Sequence, residues 1–212
     1  MPTPTNHDHK TLGRRDFLST AGASLVAASI CSQSLLAEDI KPVHRIPLGL
    51  DGHSLRGMKW KATRLIEFAA EQRLDAVLLN NLNYFESLET SHLRKLRDLA
   101  RQHEIAIYIG AGGICSNAAK FSDKYGDAEV LVAKAIEVAS ALGSPNVNVR
   151  IGSIADRFLE GGIQPRVDEA VRVLKASKKR AMDAGLTFGF ENHAADLRSE
   201  ELHELIEDVG TD

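Results

Sequence analysis

Two cysteines among 212 residues, Cys31 and Cys115, are too few for a disulfide scaffold or a zinc-finger framework. Aromatic residues make up only 5%, which argues against a base-stacking surface. The formal net charge is −3 and no long basic run occurs, so nothing in the charge pattern favours a nucleic-acid partner. No glycine-rich GxGxxG or GxxxxGKS/T loop follows the first apolar run of the main body, which weakens a dinucleotide or P-loop assignment. Linkers rich in Pro or Ser and low-complexity tracts are also missing there. What remains is ordinary for a globular chain: 43% hydrophobic and 26% charged residues, enough to bury one proper core.

The N-terminus differs from the rest. Residues 1–10 are polar, then come Gly13-Arg14-Arg15-Asp16-Phe17-Leu18 and an apolar stretch rich in Ala, Ser and Gly from Ser19 to Ala37. Two adjacent arginines, one spacer and two apolar residues before such a stretch resemble a twin-arginine export signal, although Gly13 stands where Ser or Thr is usual. Cleavage near Leu35-Leu36-Ala37 would leave a mature chain of 38–212 in the periplasm, delivered by the twin-arginine export machinery. Ser, Gly and Gln within the stretch make it a poor permanent membrane span.

After residue 37 one pattern repeats. Short apolar runs, Ile46–Leu50, Ala76–Leu79, Ile105–Ile109, Val147–Ile151 and Thr187–Phe190, are each followed by a helical pattern. Parallel strands buried on both sides have this composition. Leu131, Ala135, Val138 and Leu142 form one helical stripe, stopped by Gly143 with Pro145 behind it. Leu93, Leu96, Leu99 and Ala100 mark another helix, and Val167, Val171, Leu174 and Ala181 a third, stopped at Gly185. Ser199 is expected as an N-cap, with Leu202, Leu205, Ile206 and Val209 as the buried stripe after it.

Strand parity gives the architecture. Val147, Val149 and Ile151 share one face while Asn148 and Arg150 share the other. Phe188 and Phe190 oppose Thr187, Gly189 and Glu191. Ile46, Leu48 and Leu50 oppose Pro47, Gly49 and Asp51, and Ile105, Ile107 and Ile109 oppose Ala106, Tyr108 and Gly110. An aliphatic or aromatic face meets the helices, and a smaller or polar face points inward. That division predicts an (α/β) barrel with its polar end at the strand C-termini rather than a flat doubly wound sheet.

Phe190-Glu191-Asn192-His193, followed by a polar loop and Ser199-Glu200-Glu201-Leu202, resembles the xylose isomerase-like TIM barrels of the sugar phosphate isomerase/epimerase group. The similarity covers about 46–212. It implies an incomplete (β/α)8 TIM barrel with about five βα units. It also implies metal-dependent isomerisation or epimerisation of a sugar, sugar phosphate or cyclitol, by proton transfer next to a carbonyl. Glu191 would be both a catalytic carboxylate and a ligand of a divalent metal (Mn, Mg, Co or Zn). The family takes its other ligands from strands six to eight, so they are expected beyond residue 212 and the chain alone is expected to be inactive. Two alternatives stay open: a non-catalytic periplasmic carbohydrate-binding barrel, and a non-functional gene fragment. A homo-oligomer is compatible with either barrel.

Other polar residues at strand ends are candidate carbohydrate contacts. His193 can line the substrate site or orient Glu191. Arg150 can bind a phosphate, carboxylate or hydroxyl, or pair with Glu191 or Asp51, and the pairing is the favoured expectation. Asp51 and His53 close the first strand, and Asn80 and Asn81 the second. Gly110-Ala111-Gly112-Gly113 is expected as a tight loop. Cys115 has no base beside it in sequence, so no nucleophile is assigned.

Overall fold

The five apolar runs do form one sheet. In a computed structural model, which describes residues 46–210, the strands are β1 (Gly49–Asp51), β2 (Ala76–Leu79), β3 (Ala106–Gly113), β4 (Asn146–Arg150) and β5 (Thr187–Phe190). They lie in the order β1-β2-β3-β4-β5, and every pair is parallel. The helices α1 (Ala62–Glu71), α2 (Thr90–Gln102), α3 (Ala128–Leu142), α4 (Gln164–Asp183) and α5 (Ser199–Val209) alternate with them. Strands in sequence order with a helix after each make this the partial (β/α)8 barrel that parity predicted. The export signal and the cleavage point at 1–37 lie outside the described residues.

The core sits between sheet and helices. Val77, Leu79, Ile107, Ile109, Val147 and Val149 are buried on the helix side. Against them pack Leu65 and Ile66 of α1, Leu93 and Leu96 of α2, Val132 and Ile136 of α3, and Val173 and Leu174 of α4. The signals that bounded the helices act as physical caps. Asp127 accepts a hydrogen bond from the Val130 N–H at 2.9 Å to start α3, and Gly143 ends it in the left-handed region at φ 77°.

Three boundaries and one burial pattern differ from the sequence expectation. The first strand is three residues, Gly49–Asp51, not Ile46–Leu50. Pro47 has no N–H for a ladder, and Leu48 is tied instead to Asp75, whose carboxylate accepts from the Leu48 N–H at 2.7 Å. Leu48 is 59% exposed. At the third strand the glycine-rich segment is no loop: β3 runs through to Gly113, with a register shift between Gly110 and Gly112. Helix α5 begins at Ser199 with Arg198 as its N-cap, and the Arg198 N–H donates to Glu201 Oε2 at 2.7 Å. Of its expected stripe only Leu205 is fully buried, and Ile206 is 39% exposed.

The cause at Gly110 is visible. A Cβ there would lie 2.6 Å from the Asn80 carbonyl oxygen and 3.0 Å from that of Asn148. Both are backbone atoms of the flanking chain segments, so neither can swing away. Gly110→Ala is therefore expected to lower stability by about 2–3 kcal/mol, since the sheet must spread to admit one methyl group. Urea unfolding checks this, and a loss below about 0.5 kcal/mol would show that the sheet accommodates it freely.

Candidate functional site at the strand C-termini

The inward face carries the polar side chains that alternation put there. Glu191 follows β5 directly, and its N–H extends the ladder by one bond, to the Val149 carbonyl at 2.8 Å. Its carboxylate Oε2 accepts from Asn148 Nδ2 at 3.4 Å, a long contact that leaves both oxygens largely free. Gly189, in register with Asn148, makes that possible: a Cβ at 189 would sit 3.2 Å from Asn148 Oδ1. Across the sheet, Asp51 Oδ1 accepts from the His53 N–H at 2.9 Å and from Asn80 Nδ2 at 3.4 Å. Asn81 Nδ2 donates to Asn80 Oδ1 at 3.0 Å. Asp51, Asn80 and Asn81 thus form one polar chain along the ends of β1 and β2. His53 stands exposed on the short 3-10 helix Gly52–Met58, where only its backbone joins that chain.

The expected pairing of Arg150 does not form. Among the described residues its guanidinium has no ion pair and no hydrogen-bond partner. The register of β4 and β5 sets Arg150 beside Glu191, one step beyond Val149 and Phe190. Yet the side chain leans the other way, over β3, with Nη1 3.9 Å from where a Cβ of Gly112 would be.

His193 is held from two sides. Its Nδ1 lies 2.6 Å from the Gly152 carbonyl oxygen, which can only accept, so Nδ1 carries a proton and donates it there. Its backbone N–H donates to Asp196 Oδ1 at 2.9 Å. Asp196 is 0% exposed and also accepts from the N–H groups of Leu197 at 2.8 Å and Gly152 at 3.1 Å. Asp156, equally buried, accepts from the N–H groups of Ala119 at 2.6 Å and Ser153 at 2.9 Å. These two carboxylates lock the loops after β3, β4 and β5 to one another. Ala194 and Ala195 lie between His193 and Asp196 at φ 49° and 57°, a left-handed conformation that alanine adopts only when its surroundings impose it. A bidentate pair from Arg157 to Glu201, at 2.6 and 2.8 Å, fastens the segment after β4 to α5. The Arg157 guanidinium lowers the Glu201 carboxyl to about 2.

Asp156 and Asp196 are the site's supporting residues that sequence inspection missed. Ser153-Ile154-Ala155-Asp156 has the spacing of a capping box, which was the available signal for one of them. Nothing local marks Asp196 as reaching back to Gly152.

Cys115 acquires a neighbour that the sequence did not place beside it. Its Sγ donates to Glu169 Oε2 at 3.0 Å, and Glu169 also accepts from the N–H groups of Ser116 and Asn117. Burial, then the hydrogen bond and negative charge of Glu169, push the thiol up to about 12. A thiol so far above neutrality carries no nucleophile. Iodoacetamide at pH 8 is expected to leave Cys115 unlabelled in the folded protein and to label it once urea unfolds the chain, as mass spectrometry of the Cys115 peptide can follow. Fast labelling without urea would contradict that placement. Because the folded value is raised, this thiol's contribution to stability is fully present below its unfolded value near 9.0 and is lost as pH rises toward 12.

No three His, Cys, Asp or Glu side chains converge into a metal-binding group among the described residues. Glu191 fits as a single carboxylate ligand, but the donor set present does not make a complete cation site.

No family model matches the chain, and no curated protein sequence matches it. Solved structures do. D-psicose 3-epimerase in the presence of D-fructose superposes with a TM-score of 0.55 at 17% identity, over 78% of this chain and 60% of that one. A xylose isomerase domain protein from Planctomyces limnophilus gives 0.53 at 18% identity, covering 78% and 60%. The IOLI protein with a bound zinc atom gives 0.58 at 14% identity, covering 77% and 59%. At such identities the likeness establishes the fold. The chain spans about 60% of the length of these structures.

Proposed function

We propose that this chain belongs to a carbohydrate isomerase or epimerase that works by proton transfer next to a carbonyl, with Glu191 as its acid/base carboxylate. One observation carries the proposal. Glu191 stands on the inward face at the C-terminal end of β5, largely unengaged, in a fold shared with D-psicose 3-epimerase and a xylose isomerase domain protein. Barrels of this kind place their chemistry at that end of the strands.

Glu191 would accept the proton from the carbon beside the carbonyl and return it. Returned to the former carbonyl carbon on the same side, while the proton of the adjacent hydroxyl passes to the former carbonyl oxygen, it isomerises the sugar. Inverting one centre needs a second acid on the opposite face. Asn148, 3.4 Å from Glu191 Oε2, orients the carboxylate without neutralising it. A divalent cation would polarise the carbonyl in such a reaction. Glu191 would be one ligand, and the described residues supply no full set, so what these side chains themselves contribute is orientation and proton movement. Export across the cytoplasmic membrane is part of the same proposal, on the Arg14-Arg15 pattern alone.

A protein that carries this chain together with the three further βα units of a full barrel, incubated with ketoses in deuterated water with Mn, Mg, Co or Zn supplied in turn, is expected to place deuterium on the carbon beside the carbonyl. Binding of the sugars without any exchange would instead favour a non-catalytic carbohydrate binder, the reading that the incomplete donor set would suit.

A further inference from the structure

Beside Glu191 lies a second feature with its own chemistry. A cavity of about 370 Å³ opens where β3, β4 and β5 end, and its lining includes Arg150, Lys120, His193, Asn81 and Ser153. No Asp or Glu lines it. Asp156 and Asp196, on the loops that frame it, are fully buried and engaged by backbone N–H groups.

We propose that this cavity binds an anionic substituent, phosphate or carboxylate, on the carbohydrate that reacts at Glu191, with Arg150 as its principal contact. The inference rests on the isomerase reading and names its substrate class as charged sugars.

The placement of Arg150 carries it. A half-buried guanidinium with no acceptor has lost part of its hydration and gained nothing in return. A carboxylate is at hand, because strand register sets Glu191 alongside, yet Arg150 turns from it toward β3. The turn is open because position 112 is glycine, at φ 84° within the register shift of β3. The guanidinium is thereby aimed into the cavity with its donors free, the arrangement that takes two oxygens of a phosphate or carboxylate at once. Lys120, exposed on the loop after β3, adds a second positive charge at the same cavity. A neutral sugar presents hydroxyls that both donate and accept, and sites for it mix carboxylates and amides with their donors. Two cations without a lining carboxylate suit an anion. Keeping Arg150 and Glu191 apart also leaves the carboxylate free as a base while the guanidinium holds the charged end of the same molecule.

Calorimetric titration of the purified protein tests this with D-fructose, D-fructose 6-phosphate, D-glucuronate and inorganic phosphate as probes. At least one anionic sugar is expected to bind about tenfold or more tightly than D-fructose, as a charge-assisted bidentate contact would give. The better of the phosphate and carboxylate probes identifies the group. Arg150→Gln should remove the preference, so that anionic sugars bind no more tightly than D-fructose, and Arg150→Lys should retain part of it. Lys120→Gln, at an exposed position, should weaken the anionic sugar two- to threefold. Equal affinities for charged and neutral sugars, or a preference that survives Arg150→Gln and Lys120→Gln, would overturn the proposal. Deuterium exchange into D-fructose with no anion preference would sink the subsite and leave the isomerase reading standing. An Arg150-dependent anion preference without exchange into any probe would do the reverse.

Discussion

Glu191→Gln, in a protein that carries the full barrel, is expected to lower isomerase or epimerase turnover by about 10²- to 10⁴-fold, the range over which a positioned acid/base group acts. The amide keeps the size and shape of the carboxylate and can still accept from Asn148, so substrate shape is preserved while the base is lost. Stability should hardly change, within about 1 kcal/mol, because the side chain is half-buried and its one side-chain hydrogen bond among the described residues is the 3.4 Å bond to Asn148. Turnover and thermal unfolding measured on the same preparations separate the two effects. A variant that keeps half of the wild-type rate would remove Glu191 from the chemistry. One that loses activity only because it unfolds would leave its role in the site unsupported.

Asp196→Ala is expected to cost about 3–5 kcal/mol, the largest stability loss among the site residues. One buried carboxylate satisfies the N–H groups of Gly152, His193 and Leu197. Alanine leaves all three without a partner, and it releases the turn that holds Ala194 and Ala195 at positive φ. Asp196→Asn should cost less, about half, since one oxygen can still accept while its amide group now faces a donor. Urea unfolding curves read both losses. A change under 1 kcal/mol for the alanine variant would mean that the β5 loop is held by something other than this carboxylate.

Much of the fold was legible because it follows from local periodicities. A period of two along Val147–Ile151 and Thr187–Phe190, set against helical stripes stopped by glycine, already implies a parallel sheet with a greasy outer face and a polar inner one. The misread boundaries lie where a neighbour intervened. Pro47 and the Asp75 carboxylate shortened β1, and the gap between Asn80 and Asn148 let Gly110-Ala111-Gly112-Gly113 continue as strand. At the end of α5, Ile206 stays exposed beside an apolar groove that Phe188 and Phe190 also line. A helical stripe states which residues could be buried together; what covers them is a separate matter.

The candidate site divides the same way. Sequence by itself determined that a carboxylate, Glu191, ends an inward-facing strand row together with an asparagine and an arginine from the strand beside it, because alternation is a property of the backbone. Only the tertiary structure decided which of these charges meet. Arg150 turns from Glu191 toward Gly112, and His193 is oriented by the Gly152 carbonyl, 41 residues away in sequence. Asp196 ties Gly152 to the β5 loop across a separation of 44 residues. Such contacts depend on loops brought together by the sheet and on backbone N–H groups that every residue carries, so no pattern of side chains announces them.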